Sequence, residues 1–419
     1  MRHHSALAAP MSELSRRELS RRGLLGADEG WSLAPVAAWL AIEGRLIIDL
    51  VALLNALAAR LDAAGARIDR LGITLGTIHP QILAWGGFWT RGKGAAEFAG
   101  WHGVEHSDAY IGSPVQFVRQ QRRIFRRRLE TLDESSDHAV LHELRAGGLT
   151  DYLALPLVFG SGVVNFLNFS TAQTQGFSDN DLDRLEALSN LIAPVVEILH
   201  ARRLTLGLLD AFVGPRISAR ILEGQVKRGD GDRIEAAFWY SDLRGFTALS
   251  ESLPAPQLLQ LLNEYFENCA AAAAARGGEI LQFIGDAILI VFEIKQPADE
   301  AIVCDAALDA AIDAFSSIAV VNHRRRHAGL PVIEFGLGLH VGTVTHANVG
   351  APNRLAFNVI GPAVNKTARL QSMTKEAGVP LLFSKEFAAH IGRPIRSIGH
   401  FDLRGVSGPQ EMFTLDKQR

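Results

Sequence analysis

Cysteine is scarce in this sequence, and its scarcity excludes one broad class of protein. The two cysteines, Cys269 and Cys304, both fall in apolar stretches that are typical of helices. Small secreted domains that depend on disulfide bonds carry many more cysteines for their length. We therefore expect both thiols to be reduced core residues of a cytoplasmic protein.

Long apolar runs are also missing. The sequence contains no stretch of roughly 18 or more uncharged apolar residues, which is the length that a membrane-spanning helix needs. The most apolar segment, residues 46–61, is interrupted by Asp49, Asn55 and Arg60, which predicts an amphipathic helix instead. Residues 1–30 are basic but lack the apolar core of a secretory signal, so we expect a disordered tail and no membrane span.

A large excess of charge is absent too. The chain has 42 Lys and Arg residues against 45 Asp and Glu residues, a net charge of −3. Such a balance gives no overall attraction to nucleic acid or to an anionic membrane. One local exception is the run of arginines in residues 119–130, which we interpret as a solvated helix face rather than a nucleic-acid site.

The length of 419 residues predicts more than one domain. In the first predicted domain, residues 31–201, two β-rich runs at 152–159 and 162–171 are joined by a Gly-Ser-Gly turn, which predicts a hairpin. Ser178 then precedes an apolar-periodic segment with acidic residues in its first turn, a pattern typical of a capped helix. Residues 151–199 resemble the second half of a GAF domain, a small sensory fold in which helices pack on an antiparallel sheet.

The GAF resemblance implies an unknown small-molecule ligand. The candidates to line its pocket are His79, Trp85, Trp89 and Trp101, although aromatic residues near strands usually belong to the core. No ligand can be named from these residues.

A helical seam follows the predicted GAF-like domain. Its apolar residues recur at spacings of three and four, which favours a parallel dimer, and the alternative is a stripe packed only on its own domain. Pro194 and Gly207 predict a kink or a break into two helices. Residues 202–232 are predicted to form a helical linker to the second domain. The seam consists of Leu185, Leu188, Ile192, Val195, Leu199, Leu206, Leu209 and Val213.

The second predicted domain, residues 233–419, has the strand and helix order β-α-β-β-α-β. This order is typical of a ferredoxin-like α+β fold. Asp242 and Asp286 each follow a β-rich run, so both carboxylates converge at neighbouring strand ends and provide oxygen ligands for Mg²⁺. Taken alone, Asp242 is more typical of a helix N-cap, and Asp286 is more typical of a hairpin turn; only the two together favour a metal site.

Two further stretches are candidates to bind phosphate and ribose. In residues 243–247, Gly245, Phe246 and Thr247 begin a helix whose free backbone N–H groups suit phosphate oxygens. On a later helix, Asn365 and Arg369 are one turn apart, an arrangement that also occurs on ordinary solvated surfaces.

Four stretches of this domain together resemble the class III adenylate/guanylate cyclase catalytic domain. The resemblance implies conversion of a nucleoside triphosphate to its 3′,5′-cyclic monophosphate and pyrophosphate, with two Mg²⁺ or Mn²⁺ ions per site. Asp242 and Asp286 match the metal-binding aspartates of that family, and Asn365 and Arg369 match its transition-state residues. The stretches are "FWYSDLRGFTALS", "GGEILQFIGDAILIVFE", "GLGLHVGTVTHANVG" and "FNVIGPAVNKTARL".

The resemblance also implies a homodimer, because that family takes the metal residues and the Asn/Arg pair from opposite subunits. Arg404 is the candidate for the basic residue that contacts the terminal phosphates. A rival interpretation is a catalytically silent module with a cyclase-like fold, which binds nucleotide or partners without turnover.

The base-binding positions depart from the family. Adenylate cyclases usually place Lys at the position of Gln282 and Asp or Thr at that of Asn358, whereas guanylate cyclases commonly place Glu and Cys there. Each carboxamide both donates and accepts hydrogen bonds. We therefore predict an ATP cyclase with measurable activity on GTP.

Overall fold

The structure is a computed structural model that describes residues 30–229, 231–351 and 354–416, with Arg354 described by its backbone alone. The predicted disordered tail, apart from Gly30, lies outside these residues. The chain divides into two compact units between Phe212 and Val213. Among the helices that the structure describes, none is long and apolar enough to cross a bilayer.

The first unit contains a six-stranded antiparallel sheet in the order β3-β2-β1-β6-β5-β4. Its strands are β1 (Arg70–Gly76), β2 (Ile82–Thr90), β3 (Gly94–Trp101), β4 (Phe125–Arg128), β5 (Asp151–Val158) and β6 (Val164–Thr171). Its helices are α1 (Ala34–Ile42), α2 (Leu50–Ala63), α3 (Pro114–Gln121), α4 (Ala139–Ala146) and α5 (Asp179–Val213). An antiparallel sheet with helices is therefore present, and its assignment to the GAF family stays a prediction.

Local sequence signals account for several of these elements. The predicted hairpin is confirmed as β5 and β6, which pair antiparallel. The Ser178 Oγ atom accepts a hydrogen bond from the Asp181 backbone N–H at 3.2 Å, which confirms the predicted cap of α5. Asp49 caps α2 in the same way, because its Oδ1 atom accepts a hydrogen bond from the Ala52 backbone N–H at 2.7 Å.

Helix α5 differs from the prediction in two respects. It is continuous through Pro194 and Gly207, and it includes residues 202–213 of the predicted linker. Leu185 and Leu188 of the predicted dimer seam are buried in the core of the first unit. The first half of the seam therefore packs on its own unit, and the parallel-dimer interpretation is wrong for these residues.

The arginine run is not one helix face. Helix α3 ends at Gln121, and the last arginines belong to the edge strand β4. Arg126 forms an ion pair with the buried Asp151 at 2.8 Å, and Arg127 forms another with Asp137 at 2.6 Å. These arginines neutralise the unit's own carboxylates, so the helical interpretation is wrong and the run does not favour nucleic acid.

The second unit contains an eight-stranded sheet. Seven strands follow the order β13-β14-β12-β10-β7-β9-β8, and β11 pairs with β10. The last four strands of this order, β10-β7-β9-β8, have the 4-1-3-2 order of a ferredoxin-like fold, which confirms the predicted architecture. The strands are β7 (Gly231–Leu243), β8 (Glu279–Ile284), β9 (Ala287–Glu293), β10 (Phe335–Ala351), β11 (Arg354–Ile360), β12 (Leu381–Ser384), β13 (Ile395–Phe401) and β14 (Gln410–Leu415). The helices are α6 (Pro215–Leu222), α7 (Phe246–Ser252), α8 (Ala255–Ala274), α9 (Glu300–His327), α10 (Pro362–Glu376) and α11 (Lys385–Ala388).

The sheet of the second unit buries a separate apolar core on each face. Helices α8 and α9 cover one face, where Trp239, Ile290 and Leu337 are buried. Helix α10 packs on the other face, where Phe238 contacts a smaller cluster. Cys269 and Cys304 are free and buried beneath the first face, as predicted.

Candidate active site

Asp242 lies at the end of the central strand β7. Side chains alternate between the two faces of a strand, so Asp242 shares a face with Phe238 and Tyr240. That face is the one that α10 covers. In the sheet register Asp242 is opposite Ala287 of β9, the residue that follows Asp286. The predicted convergence of the two aspartates at neighbouring strand ends is therefore present.

Asp286 lies in the tight turn between β8 and β9. Gly285 precedes it with a φ of +64°, in the left-handed region that favours glycine. Apart from its two chain neighbours, no described residue has an atom within 4 Å of the position that a Cβ on Gly285 would occupy, so the glycine is required by its φ and not by crowding. The turn brings the Asp286 carboxylate beside that of Asp242, within hydrogen-bonding reach.

The surroundings of Asp242 disfavour its charged form. Burial, and then the neighbouring Asp286, raise the pKa of Asp242 to about 7. Burial, followed by the charges of Asp242 and Asp286, also raises the pKa of the Tyr240 hydroxyl. The Oδ1 atom of Asp242 is buried and has no hydrogen-bond partner among the described residues. A pair of carboxylates with an unpartnered buried oxygen fits a divalent cation, which would neutralise the pair and satisfy that oxygen.

A buried hydrogen-bonded group that the sequence analysis missed supports the end of β7 from the opposite face. The Ser241 Oγ atom accepts hydrogen bonds from Trp239 Nε1 and from the Tyr265 hydroxyl, each at 2.8 Å. All three side chains are fully buried. Ser241 precedes Asp242 directly, so this group fixes the backbone that presents the carboxylate.

Arg244 is a second residue that the sequence analysis missed. Its Nη2 atom donates to the carbonyl oxygens of Val379 at 3.1 Å and Thr374 at 3.4 Å. Thr374 belongs to α10, the helix that carries Asn365 and Arg369. Arg244 therefore links this helix to the end of β7, where Asp242 lies. The only signal in the sequence was an arginine two residues after Asp242 in the predicted phosphate loop.

Helix α10 presents Asn365 and Arg369 one turn apart, as the spacing predicts. Asn365 is exposed and Arg369 is half-buried. The Arg369 Nη2 atom lies 3.9 Å from the position of a Cβ built on Gly405, so its guanidinium is close to the turn that contains Arg404. Among the described residues of one chain, the hydrogen bonds and ion pairs join neither Asn365 nor Arg369 to the aspartate pair.

The close approach of α10 to the sheet depends on Gly338 of β10. A Cβ at this position would lie 2.6 Å from the Thr367 carbonyl oxygen and 2.7 Å from the Gln371 backbone nitrogen. Backbone atoms cannot rotate away as a side chain can, so Gly338→Ala must displace the helix. Overpacking of this kind costs about 1–3 kcal/mol.

We expect Gly338→Ala to lower the melting temperature by several degrees in a thermal unfolding experiment. The matched control is Gly392→Ala, because a Cβ at Gly392 would meet no atom within 4 Å. Equal melting temperatures for the two variants would show that α10 is not tightly packed on β10.

The remaining predicted site residues are distributed over separate elements. Gln282 lies on the edge strand β8, and Asn358 lies on β11 opposite Ala347; both are exposed. Gly245 has a φ of +71° and immediately precedes α7, whose first residues are the half-buried Phe246 and the exposed Thr247. The exposed Arg404 lies in the turn between β13 and β14. No contact among the described residues joins the base-binding candidates to the aspartate pair.

Residues 232–416 match the family model of the adenylate and guanylate cyclase catalytic domain. An adenylate cyclase of Anabaena cylindrica is 33% identical over 159 residues, which are 37% of this chain and 30% of that protein. Adenylate cyclase 1 of Rhizobium meliloti is 31% identical over 187 residues, which are 43% of this chain and 27% of that protein. The crystal structure of the adenylyl cyclase CyaB from P. aeruginosa is 29% identical, with a TM-score of 0.41, over 45% of this chain and 97% of that one. The chain thus spans less than a third of the length of these two curated relatives.

Proposed function

We propose that this chain converts ATP to 3′,5′-cyclic AMP and pyrophosphate, because residues 232–416 match the family model of the adenylate and guanylate cyclase catalytic domain. The observation that carries the proposal is the paired carboxylates of Asp242 and Asp286, with one buried oxygen that lacks a partner. The curated relatives named above are adenylate cyclases, which supports the choice of ATP.

Asp242 and Asp286 would hold the Mg²⁺ or Mn²⁺ ions. When bound, the ions lower the pKa of the ribose 3′-hydroxyl and neutralise charge on the triphosphate. The 3′ oxygen then forms a bond to the α-phosphorus, the bond from that phosphorus to the bridging oxygen breaks, and pyrophosphate leaves. The hydroxyl proton passes to solvent.

Arg369 and Asn365 supply the remaining groups in this proposal. The Arg369 guanidinium stabilises the negative charge that develops on the reacting phosphate, and the Asn365 amide orients the ribose. Arg404 is close to Arg369 through the adjacent Gly405 and provides a second cation for the terminal phosphates. The backbone N–H groups of residues 245–247 bind phosphate oxygens beside Asp242.

We propose that the active form is a homodimer with two composite sites. Within one chain, α10 is joined to the Asp242 strand through Arg244, whereas Asn365 and Arg369 make no bond to the aspartates among the described residues. A second copy would supply Asn365 and Arg369 to the aspartate pair of the first. This arrangement makes catalysis depend on association of the chains.

Gln282 and Asn358 would read the base. Adenine presents an acceptor at N1 and a donor at N6, whereas guanine presents a donor at N1 and an acceptor at O6. A rotated carboxamide satisfies either pattern, and both side chains are exposed on their strands. The Asn358 Oδ1 atom accepts a hydrogen bond from the Val359 backbone N–H at 2.9 Å, which has to break before this amide rotates. We therefore propose that the protein prefers ATP and also acts on GTP.

For the wild-type protein we expect an ATP preference in kcat/KM below about 10⁴-fold, the range of a strict hydrogen-bonding site. The variant Gln282→Lys should prefer ATP more strongly, because a lysine only donates and guanine N1 offers it no acceptor. Initial rates with both nucleotides, in Mg²⁺ and in Mn²⁺, test this.

The exposed Gln257 of α8 provides the matched control, since Gln257→Lys adds the same charge away from the base. Strict selectivity in the wild-type protein would refute the proposed role of the two carboxamides. Absence of any cyclic nucleotide above the level of an Asp242→Ala variant would instead favour the silent module.

A further inference from the structure

The first unit contains a cavity that the proposed catalytic function does not use. Its volume is about 190 Å³, and it lies between the sheet and helices α3 and α4. The face of the sheet that forms its floor is opposite the one that packs on the main core of the unit. The cavity is therefore separate from that core. Its lining includes Arg70, Gly72, Phe88, Tyr152, Phe166 and Asn168.

The register of the sheet places polar side chains next to one another on this floor. Arg70 of β1 is opposite Thr90 on one side and Ser170 on the other, and Ser170 is opposite Tyr152. In the next pair on this face of the sheet, Gly72 of β1 is opposite Asn168 of β6. Residues opposite each other in antiparallel strands present their side chains on the same face.

Gly72 makes room on the floor for the side chain of Asn168. A Cβ at this position would lie 2.7 Å from Asn168 Oδ1, so a larger residue would displace that amide. Because glycine occupies the position, the Asn168 side chain lies across the strand beside Arg70 and Tyr152. Tyr152 is within hydrogen-bonding reach of Asn168.

Arg70 carries a charge that its surroundings do not neutralise. Its guanidinium lies over the Phe88 ring, 4.3 Å from the centroid, and its Nη1 atom is 3.4 Å from Thr90 Oγ1. Among the described residues, no ion pair involves Arg70. The Ser170 hydroxyl beside it is 1% exposed and has no hydrogen-bond partner in the part of the chain that the structure describes. A half-buried cation beside an unsatisfied hydroxyl suits an anion.

The walls and the mouth of the cavity indicate which kind of anion it would bind. Phe166, Val140 and Leu144 line the cavity, which makes the walls apolar. Phe98 is 38% exposed and Ala109 is exposed, so the mouth reaches solvent. The volume equals that of about six water molecules, which is enough for a single ring or a branched chain with one carboxylate.

We propose that this cavity binds a small organic carboxylate with an apolar body, with Arg70 pairing with the carboxylate and the aromatic walls holding the body. Asn168 and Tyr152 donate hydrogen bonds to the same carboxylate. The proposal concerns the first unit alone, so it stands or falls independently of the cyclase activity.

The test is isothermal titration of the full chain with benzoate and with 4-methylpentanoate. We expect saturable binding of at least one of them, and at least tenfold weaker binding of benzamide, benzylamine and inorganic phosphate. The variant Arg70→Gln should weaken carboxylate binding by at least about tenfold, whereas Arg67→Gln, which removes an exposed arginine of the same unit, should not change it.

A further variant keeps the test decisive if Arg70→Gln fails to fold. Ala109→Trp changes an exposed residue at the mouth and should block entry without disturbing the core. Binding of benzamide or phosphate as tight as that of the carboxylates would overturn the proposal, as would unchanged binding in Ala109→Trp or no binding of either carboxylate to the wild-type protein.

Discussion

Asp242→Asn is expected to lower cyclase activity by at least about 10²–10³-fold while it makes the metal-free protein more stable at pH 8. The loss of activity follows from the proposed role of Asp242 as a metal ligand, because an amide is a much poorer ligand for Mg²⁺ than a carboxylate. The gain in stability follows from the repulsion between Asp242 and Asp286, which the substitution removes. A substitution that lowers activity but raises stability indicates a residue that serves function and destabilises the folded protein.

The sign of the pH dependence follows from the pKa of Asp242. In the folded chain this pKa is raised from 3.8 to about 7, so the native state binds the proton more tightly than the unfolded state does. Stability therefore falls as pH rises from about 4 to about 7, and the penalty is fully present above pH 7. Asp242→Asn removes this penalty at pH 8 and has little to remove at pH 4.

Thermal unfolding in EDTA at several pH values measures this effect. At pH 8 we expect Asp242→Asn to melt at least about 3 °C above the wild-type protein, and Mn²⁺ to raise the melting temperature of the wild-type protein only. Asp416→Asn, which changes an exposed carboxylate of the same unit, is the control. A variant that melts below the wild-type protein at pH 8, or that responds equally to Mn²⁺, would contradict the metal site.

The part of the site that could be predicted from the sequence is the part that depends on local pattern. Asp242 and Asp286 each follow a β-rich run, and strand ends meet at one edge of a sheet, so their proximity followed from the strand order alone. The contacts of Arg244 and Ser241 could not be predicted in this way. Each depends on where a distant helix packs, which local pattern does not specify.

The predictions that were wrong for the first unit, those on the dimer seam and on the break in α5, failed for a similar reason. A stripe of apolar residues at helical spacing has the same pattern whether it packs on a partner helix or on its own sheet. In α5 the buried Leu188 and Ile192 show that the unit's own core is the partner for this part of the stripe. The same packing holds the helix together through Pro194, which removes only one backbone hydrogen bond.

Two inactive variants are expected to restore activity when they are combined. Asp286→Asn lacks a metal ligand but retains Arg369, and Arg369→Gln has the opposite defect. If the proposed composite sites form between chains, half of the dimers in an equimolar co-expressed mixture contain one intact site out of two. The mixture should therefore reach about a quarter of the wild-type specific activity, although each variant alone is nearly inactive.

The control is a chain that carries both substitutions. Paired with Asp286→Asn, it forms dimers in which no chain retains Asp286, so no intact site exists and no activity should return. Two different affinity tags on the co-expressed chains show that mixed dimers are present. Mixed dimers without restored activity would place the aspartates and Arg369 in sites within one chain.

The physical reason to expect restoration lies in the distance over which a cation stabilises a transition state. Arg369 contributes only if its guanidinium is within hydrogen-bonding reach of the oxygens on which charge develops. Within one chain its described contacts lead to the turn at Gly405 and not to Asp242 or Asp286. A second copy of the chain therefore has to bring Arg369 to the metal-bound phosphate, and the specific activity should rise with protein concentration as dimers form.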